Sequence, residues 1–210
     1  MGKIRVLCFG DSNTWGFVPS VGLRYDEDTR WTRVLGKLLG EKYEIIEEGL
    51  NSRTICTDDS YTGKEGRCGI TYLAPCIRTH DKFHYFVLML GTNELKDSFE
   101  NSPQDILDML AYMIKQITDY RSMIDGEEIK LIVCGIPPVE EDDRPADESD
   151  FVYARVKRNA FCKLLEEYCS KNGLTFINND DLQVGSDGVH LTAQSHTILA
   201  RKIANVIKTK

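Results

Sequence analysis

Short apolar runs alternate with longer helical patterns along the chain, and this alternation restricts the fold more than any other feature of the sequence. Strands are expected at 4–9, 43–47, 85–90, 129–134 and 174–177, and helices at 29–39, 69–79, 103–124, 151–170 and 192–207. "IRVLCF" and "YFVLML" are almost wholly apolar, which suits parallel strands covered on both faces. Ile106, Leu107, Leu110, Met113, Ile114 and Ile117 recur at helical spacing and give 103–124 one core-facing stripe. Pro103 suits a first helical turn with Ser102 as its cap, and Asn172-Gly173 reads as a helix stop. The expectation is an α/β fold: a three-layer α/β/α sandwich around a five-stranded parallel sheet, built by one domain over 1–210.

Charge and cysteine usage remove several function classes. A net charge of −7 opposes binding to nucleic acid or to an anionic membrane surface. No apolar run approaches a membrane span, and "VLCF" is too short for a signal-peptide core, with Asp11 following almost at once. Met1-Gly2 is not a myristoylation site, because Val6 stands where that motif needs Ser or Thr. The seven cysteines include no C-x-x-C pair, so reduced thiols and a cytoplasmic location are expected. His80 and His84 have the spacing of helical zinc ligands, but no third ligand is evident and Tyr85 opens a strand. "GKEGRCG" lacks the Gly-Lys-Ser/Thr ending of a phosphate cradle. No metal and no cofactor is expected. The acidic stretch "EEDDRPADESD", 140–150, reads as a solvated loop.

In a parallel sheet the loops after the carboxyl ends of the strands form the ligand crevice. Ser12, 51–53, 91–94 and 135–138 all follow such ends. Ser12 in "FGDSN" is either a turn residue or a nucleophile on a tight bend, since Gly, Asp, Ser and Asn all favour turns. A serine hydroxyl needs an adjacent base. "SDGVHLT" supplies a candidate: Asp187 can reach back to His190 Nδ1, fix its tautomer and leave Nε2 for the serine proton. The competing reading makes Asp187-Gly188 a turn and His190 a helix cap. Oxyanion donors are offered by Asn93 in "MLGTNE", by free N–H groups of "EEGLNSRT" and by the Ser12 N–H. Trp15, Phe17, Tyr25 and Trp31 can wall an apolar pocket, although Trp31 also suits a core anchor and His196 suits packing or surface.

The blocks "CFGDSNTWG", "EEGLNSRT", "MLGTNE" and "DGVH" together resemble the SGNH (GDSL-type) hydrolase superfamily, and with "RWTRVLG" they are most similar to its arylesterase/acyltransferase branch. The resemblance implies a flavodoxin-like fold and hydrolysis of small esters through an acyl-enzyme. It implies Ser12 as nucleophile, His190 as base and then acid, and Asp187 as orienter. Ser12 and Asn93 would serve the oxyanion together with Ser52, which takes the family register; Gly49 is the only glycine of that block. Asn13, Trp15 and Phe17 would line the substrate pocket. The chain departs from the family pattern at Asn13, where an apolar residue is usual, and at Glu94, where Asp is commoner. The branch also implies acyl transfer to alcohols and a homo-oligomer. A carbohydrate O-acetylesterase and a non-catalytic ligand-binding module are the alternatives. An α/β-hydrolase elbow is disfavoured by Thr14, which stands where that motif needs Gly.

Overall fold

The computed structural model describes residues 2–58, 63–80, 82–125, 129–140 and 150–209. Five strands form one sheet: β1 Ile4–Gly10, β2 Tyr43–Gly49, β3 Tyr85–Met89, β4 Lys130–Cys134 and β5 Thr175–Ile177. All pairings are parallel, in the order β2-β1-β3-β4-β5. The helices are α1 Ser12–Trp15, α2 Trp31–Leu39, α3 Gly69–His80, α4 Pro103–Asp125, α5 Ala154–Lys171 and α6 Ala193–Thr209. A 3₁₀ turn, Asn93–Leu95, follows β3.

Strand side chains alternate between two apolar layers, as a period of two requires. Leu7, Phe9, Phe86 and Leu88 pack with Leu73 of α3, Leu110 of α4 and Phe161 of α5. Val6, Cys8, Val87 and Met89 pack on the opposite face with Trp31 and Leu35 of α2 and Leu199 and Ile203 of α6. The three-layer α/β fold is therefore the one that the sequence pattern implies. Burial of β1 and β3 on both faces explains why their segments read as unbroken apolar runs.

The boundaries differ in instructive ways. β1 and β2 run on to Gly10 and Gly49, which pair in register. The short helix α1 is absent from the sequence reading, because four residues cannot display a periodicity. Helix α2 begins at Trp31 rather than residue 29, and α5 at Ala154 rather than 151. Of the acidic stretch 140–150, residues 141–149 lie outside the described residues. Among the described residues no helix is long and apolar enough to cross a membrane.

The chain leaves β1 for β2 on one side and reaches β3 on the other. Such a reversal of strand order opens a crevice at the carboxyl ends of the strands. Ser12, Asn93 and the segment that follows β5 all converge there.

Candidate active site

Glycines make the bend at Ser12 possible. A Cβ on Gly10 would lie 2.2 Å from Thr14 Oγ1 and 2.4 Å from the Met89 carbonyl oxygen. A Cβ on Gly49 would lie 2.2 Å from the Trp15 backbone nitrogen, so β2 packs directly on α1. The Asp11 carboxylate accepts the Asn13 N–H at 2.9 Å and caps α1. Gly16 ends the helix in a left-handed conformation, φ 92°. Ser12 thus occupies the first helical position, with a backbone N–H that has no intrahelical acceptor.

The second part of the site is the turn 187–190. Asp187 Oδ1 accepts the N–H groups of Val189, 3.1 Å, and His190, 3.0 Å. Its Oδ2 lies 2.8 Å from His190 Nδ1 and accepts the Ser20 N–H at 3.0 Å. Burial alone would raise the Asp187 pKa; the hydrogen bonds from the His190 ring and the two turn N–H groups overcome it and hold the carboxyl well below the usual range. His190 Nε2 lies 2.9 Å from Ser12 Oγ. The hydroxyl, imidazole and carboxylate thus stand in a continuous hydrogen-bonded row, although Ser12 and His190 are 178 residues apart.

Asn13, expected in the substrate pocket, does not line the cavity. It is 1% exposed, its Oδ1 accepts the Leu191 N–H at 2.9 Å, and its Nδ2 donates to the Val189 carbonyl at 3.3 Å. The reason is local: on α1 its side chain turns toward the 189–191 backbone and joins the two halves of the site. Trp15 is also outside the lining; its ring lies under the Arg24 guanidinium at 5.3 Å. Phe17 does line the cavity, and its ring stacks on His190 with centroids 4.1 Å apart. Trp31 is a fully buried anchor whose Nε1 donates to the Asn13 carbonyl. His196 is buried and packs edge-on to Tyr25; its pKa is pushed down to about 3 by burial and then by His190.

Ser52 and Asn93 line the same cavity as Ser12, and Gly49 does not. Ser52 has φ 60°, a left-handed conformation rare in non-glycine residues. One Asn93 Nδ2 hydrogen goes to the Arg53 carbonyl at 2.9 Å, and an amide has a second to offer. Two further residues of the same sequence blocks support the site. Arg53, 3% exposed, lies over the Phe9 ring at 4.2 Å and donates to the Gly10 carbonyl at 3.1 Å and to the Glu48 carbonyl. Glu94, fully buried, accepts the Ile55 N–H. Burial pushes Glu94 up to about 8; its backbone hydrogen bonds oppose this and Asp11 adds to it. Their sequence signal is membership of "EEGLNSRT" and "MLGTNE", which does not reveal what either side chain touches.

The cavity has a volume of about 250 Å³. Phe17, Phe151 and Val189 give it apolar walls, while Lys64, Lys96 and Thr92 make it polar elsewhere. A larger hollow of about 560 Å³ lies by Arg158 and Asp180 and contains none of the groups above. Size therefore does not mark the site here; the convergence of a serine hydroxyl, a hydrogen-bonded imidazole and an amide donor does.

A model of the GDSL-like lipase/acylhydrolase family matches residues 8–198. The fold is similar to that of the M. smegmatis aryl esterase, with 30% identity, a TM-score of 0.89 and coverage of 98% of this chain and 99% of that one. It is equally similar to Est24, a carbohydrate acetylesterase from Sinorhizobium meliloti, with 31% identity, a TM-score of 0.88 and 99% coverage of both chains. A carbohydrate acetylesterase family member from the same organism aligns at 26% identity with a TM-score of 0.88, over 98% of both chains. No curated protein matches significantly. With nearly its whole length matched, from the first strand to the last helix, the chain belongs to the GDSL-like lipase/acylhydrolase family.

Proposed function

We propose that this chain, a carboxylic ester hydrolase by family, cleaves small soluble esters through an acyl-enzyme on Ser12. The observation that carries the reading is the row Ser12 Oγ, His190 Nε2, His190 Nδ1, Asp187 Oδ2, with contacts of 2.9 and 2.8 Å. His190 takes the hydroxyl proton as Ser12 Oγ attacks the ester carbonyl. The N–H groups of Ser12 and Ser52 and the Asn93 amide stabilise the resulting oxyanion. The carbonyl re-forms as the alcohol leaves with the proton from His190. Water, deprotonated by the same imidazole, then attacks the acyl-serine, and Ser12 leaves with that proton. Asp187, ionised throughout, keeps the imidazole proton on Nδ1 during the resting state.

The cavity volume of about 250 Å³ supports a short acyl or aryl group over a long chain. On a panel of p-nitrophenyl esters, kcat/KM is expected to fall from acetate and butyrate to octanoate, and a rise with chain length overturns the reading. The polar wall of Lys64, Lys96 and Thr92 favours a second substrate class, acetylated sugars, which a parallel panel of sugar acetates tests. Transfer to alcohols belongs to the same intermediate: an alcohol bound against Phe17 or Phe151 competes with water. Ester exchange in water with added alcohol is its readout, and hydrolysis alone counts against it. Seven unpaired thiols support a reducing, cytoplasmic setting. A non-catalytic module is distinguished by Ser12→Ala, which leaves such a module's function intact.

A further inference from the structure

The two histidines with metal-ligand spacing in the sequence do not meet. His84 Nδ1 accepts the Arg5 backbone N–H at 3.0 Å, just before β3. His80 instead joins two residues that the sequence does not pair with it. Cys76 and His80 stand one helical turn apart on α3 and share a face. Glu48, the penultimate residue of β2, reaches the same place. One ligand atom from each of Glu48, Cys76 and His80 lies within 4.8 Å of the others. We propose that these three residues form a zinc-type divalent cation site that ties β2 to α3, apart from the Ser12 cavity.

The donor set is one thiol sulfur, one imidazole nitrogen and one carboxylate oxygen, which suits a borderline ion such as Zn²⁺ and not Mg²⁺ or Ca²⁺. Bonds of about 2.0–2.3 Å around a tetrahedral ion place its ligand atoms roughly 3.3–3.7 Å apart. That spacing lies within the 4.8 Å limit that encloses all three ligand atoms, and the ion fits by widening the 2.5 Å Glu48–His80 contact. Cys76 is fully buried and forms the floor, while Glu48 and His80 are 15% and 23% exposed and form the mouth. Tyr72 Oη donates to Glu48 at 3.4 Å and orients the carboxylate.

Charge and protons balance. Burial, then Glu48, push the Cys76 thiol up to about 12, and Arg53 pulls the other way. Without an ion Cys76 is therefore a thiol at neutral pH. On binding, the S–H bond breaks, a metal–sulfur bond forms and one proton leaves to solvent; His80 binds through Nε2 with its proton on Nδ1. Thiolate and carboxylate then neutralise the two charges of the ion.

Cobalt(II) titration of the full-length, metal-free chain tests the site, because thiolate ligation of Co²⁺ gives a charge-transfer band. The expected result is one equivalent bound with that band, reversed by Zn²⁺. Cys76→Ser removes the band, and Cys56→Ser, at a half-buried thiol elsewhere, leaves it. Glu48→Gln and His80→Ala weaken Co²⁺ binding by roughly tenfold or more. Absence of the band in the wild type, its survival in Cys76→Ser, or its loss in Cys56→Ser overturns the proposal. Should Cys76→Ser fail to fold, unchanged affinity in His80→Ala overturns it. The spectrum is read without substrate, and none of the three residues lines the Ser12 cavity, so the outcome is independent of the esterase reading.

Discussion

At the scale of single residues, a half-buried carboxyl and a fully buried one sit in opposite environments, and the difference is measurable. Asp187 receives four hydrogen bonds, from the Ser20, Val189 and His190 N–H groups and the His190 ring, and its pKa is depressed. A depressed carboxyl stabilises the fold fully above its unfolded pKa of about 3.9, and that stability is lost as pH falls through the lower folded value. Asp187→Asn is expected to flatten this acid dependence in urea titrations and to lower kcat by about 10⁴-fold through the wrong imidazole tautomer. Glu94 has the opposite sign. Its folded pKa, about 8, lies above the unfolded one, so its favourable contribution is complete below pH of about 4.3 and is lost as pH rises to about 8. Glu94→Gln is expected to gain stability relative to wild type across that window, and a constant difference between the two refutes the assignment. Ser12→Ala should reduce kcat on p-nitrophenyl acetate by about 10⁴–10⁶-fold with little change in Tm, and should abolish fluorophosphonate labelling.

At the scale of elements, the site depends on which segments press on which. The turn 17–20 runs alongside 185–190: Phe17 stacks on His190, Ser20 donates to Asp187 and its hydroxyl contacts Ser186 at 2.8 Å. A Cβ on Gly185 would lie 2.5 Å from Pro19, so the two segments are in direct contact. Phe17→Ala removes the ring that fixes the imidazole plane. It is expected to lower kcat by roughly 10–100-fold, the range of a small misplacement, with the fold retained and partial rescue by Phe17→Tyr. Equal loss in both variants, or loss confined to KM, contradicts a positioning role. Gly49→Ala drives a Cβ into the Trp15 backbone and must displace α1 or β2. Both Tm and kcat should fall together, because Ser12 rides on the displaced helix.

At the scale of the whole molecule, two apolar layers hold the sheet without covalent help. All seven cysteines are free, and burial raises the thiols of Cys134 to about 12 and Cys162 to about 11. Tm is therefore expected to be the same with and without a thiol reductant, and a drop on reduction would reveal a disulfide that the fold does not contain. Phe161 sits fully buried where α5 meets the sheet, and its ring lies 3.2 Å from where a Gly91 Cβ would be. The same layer that stabilises the fold thus also presses on the loop leading to Asn93.

The sequence by itself determined the alternation of strands and helices, because burial on both faces writes an apolar run for β1 and β3 and a 3.6-residue stripe for α4. It also made Ser12, Asn93, Asp187 and His190 candidates, through motif blocks that resemble a known family, where turn chemistry alone left other readings open. Tertiary structure alone decided what those candidates touch. Asn13 left the pocket to bridge Val189 and Leu191, and Trp15 lay under Arg24. Ser52 rather than Gly49 faced the cavity. Arg53 and Glu94 acquired their roles from partners 40 or so residues away along the chain. Local propensity records the path of the backbone, whereas contacts between distant segments depend on how strand order folds that path, and no short window of residues contains that order.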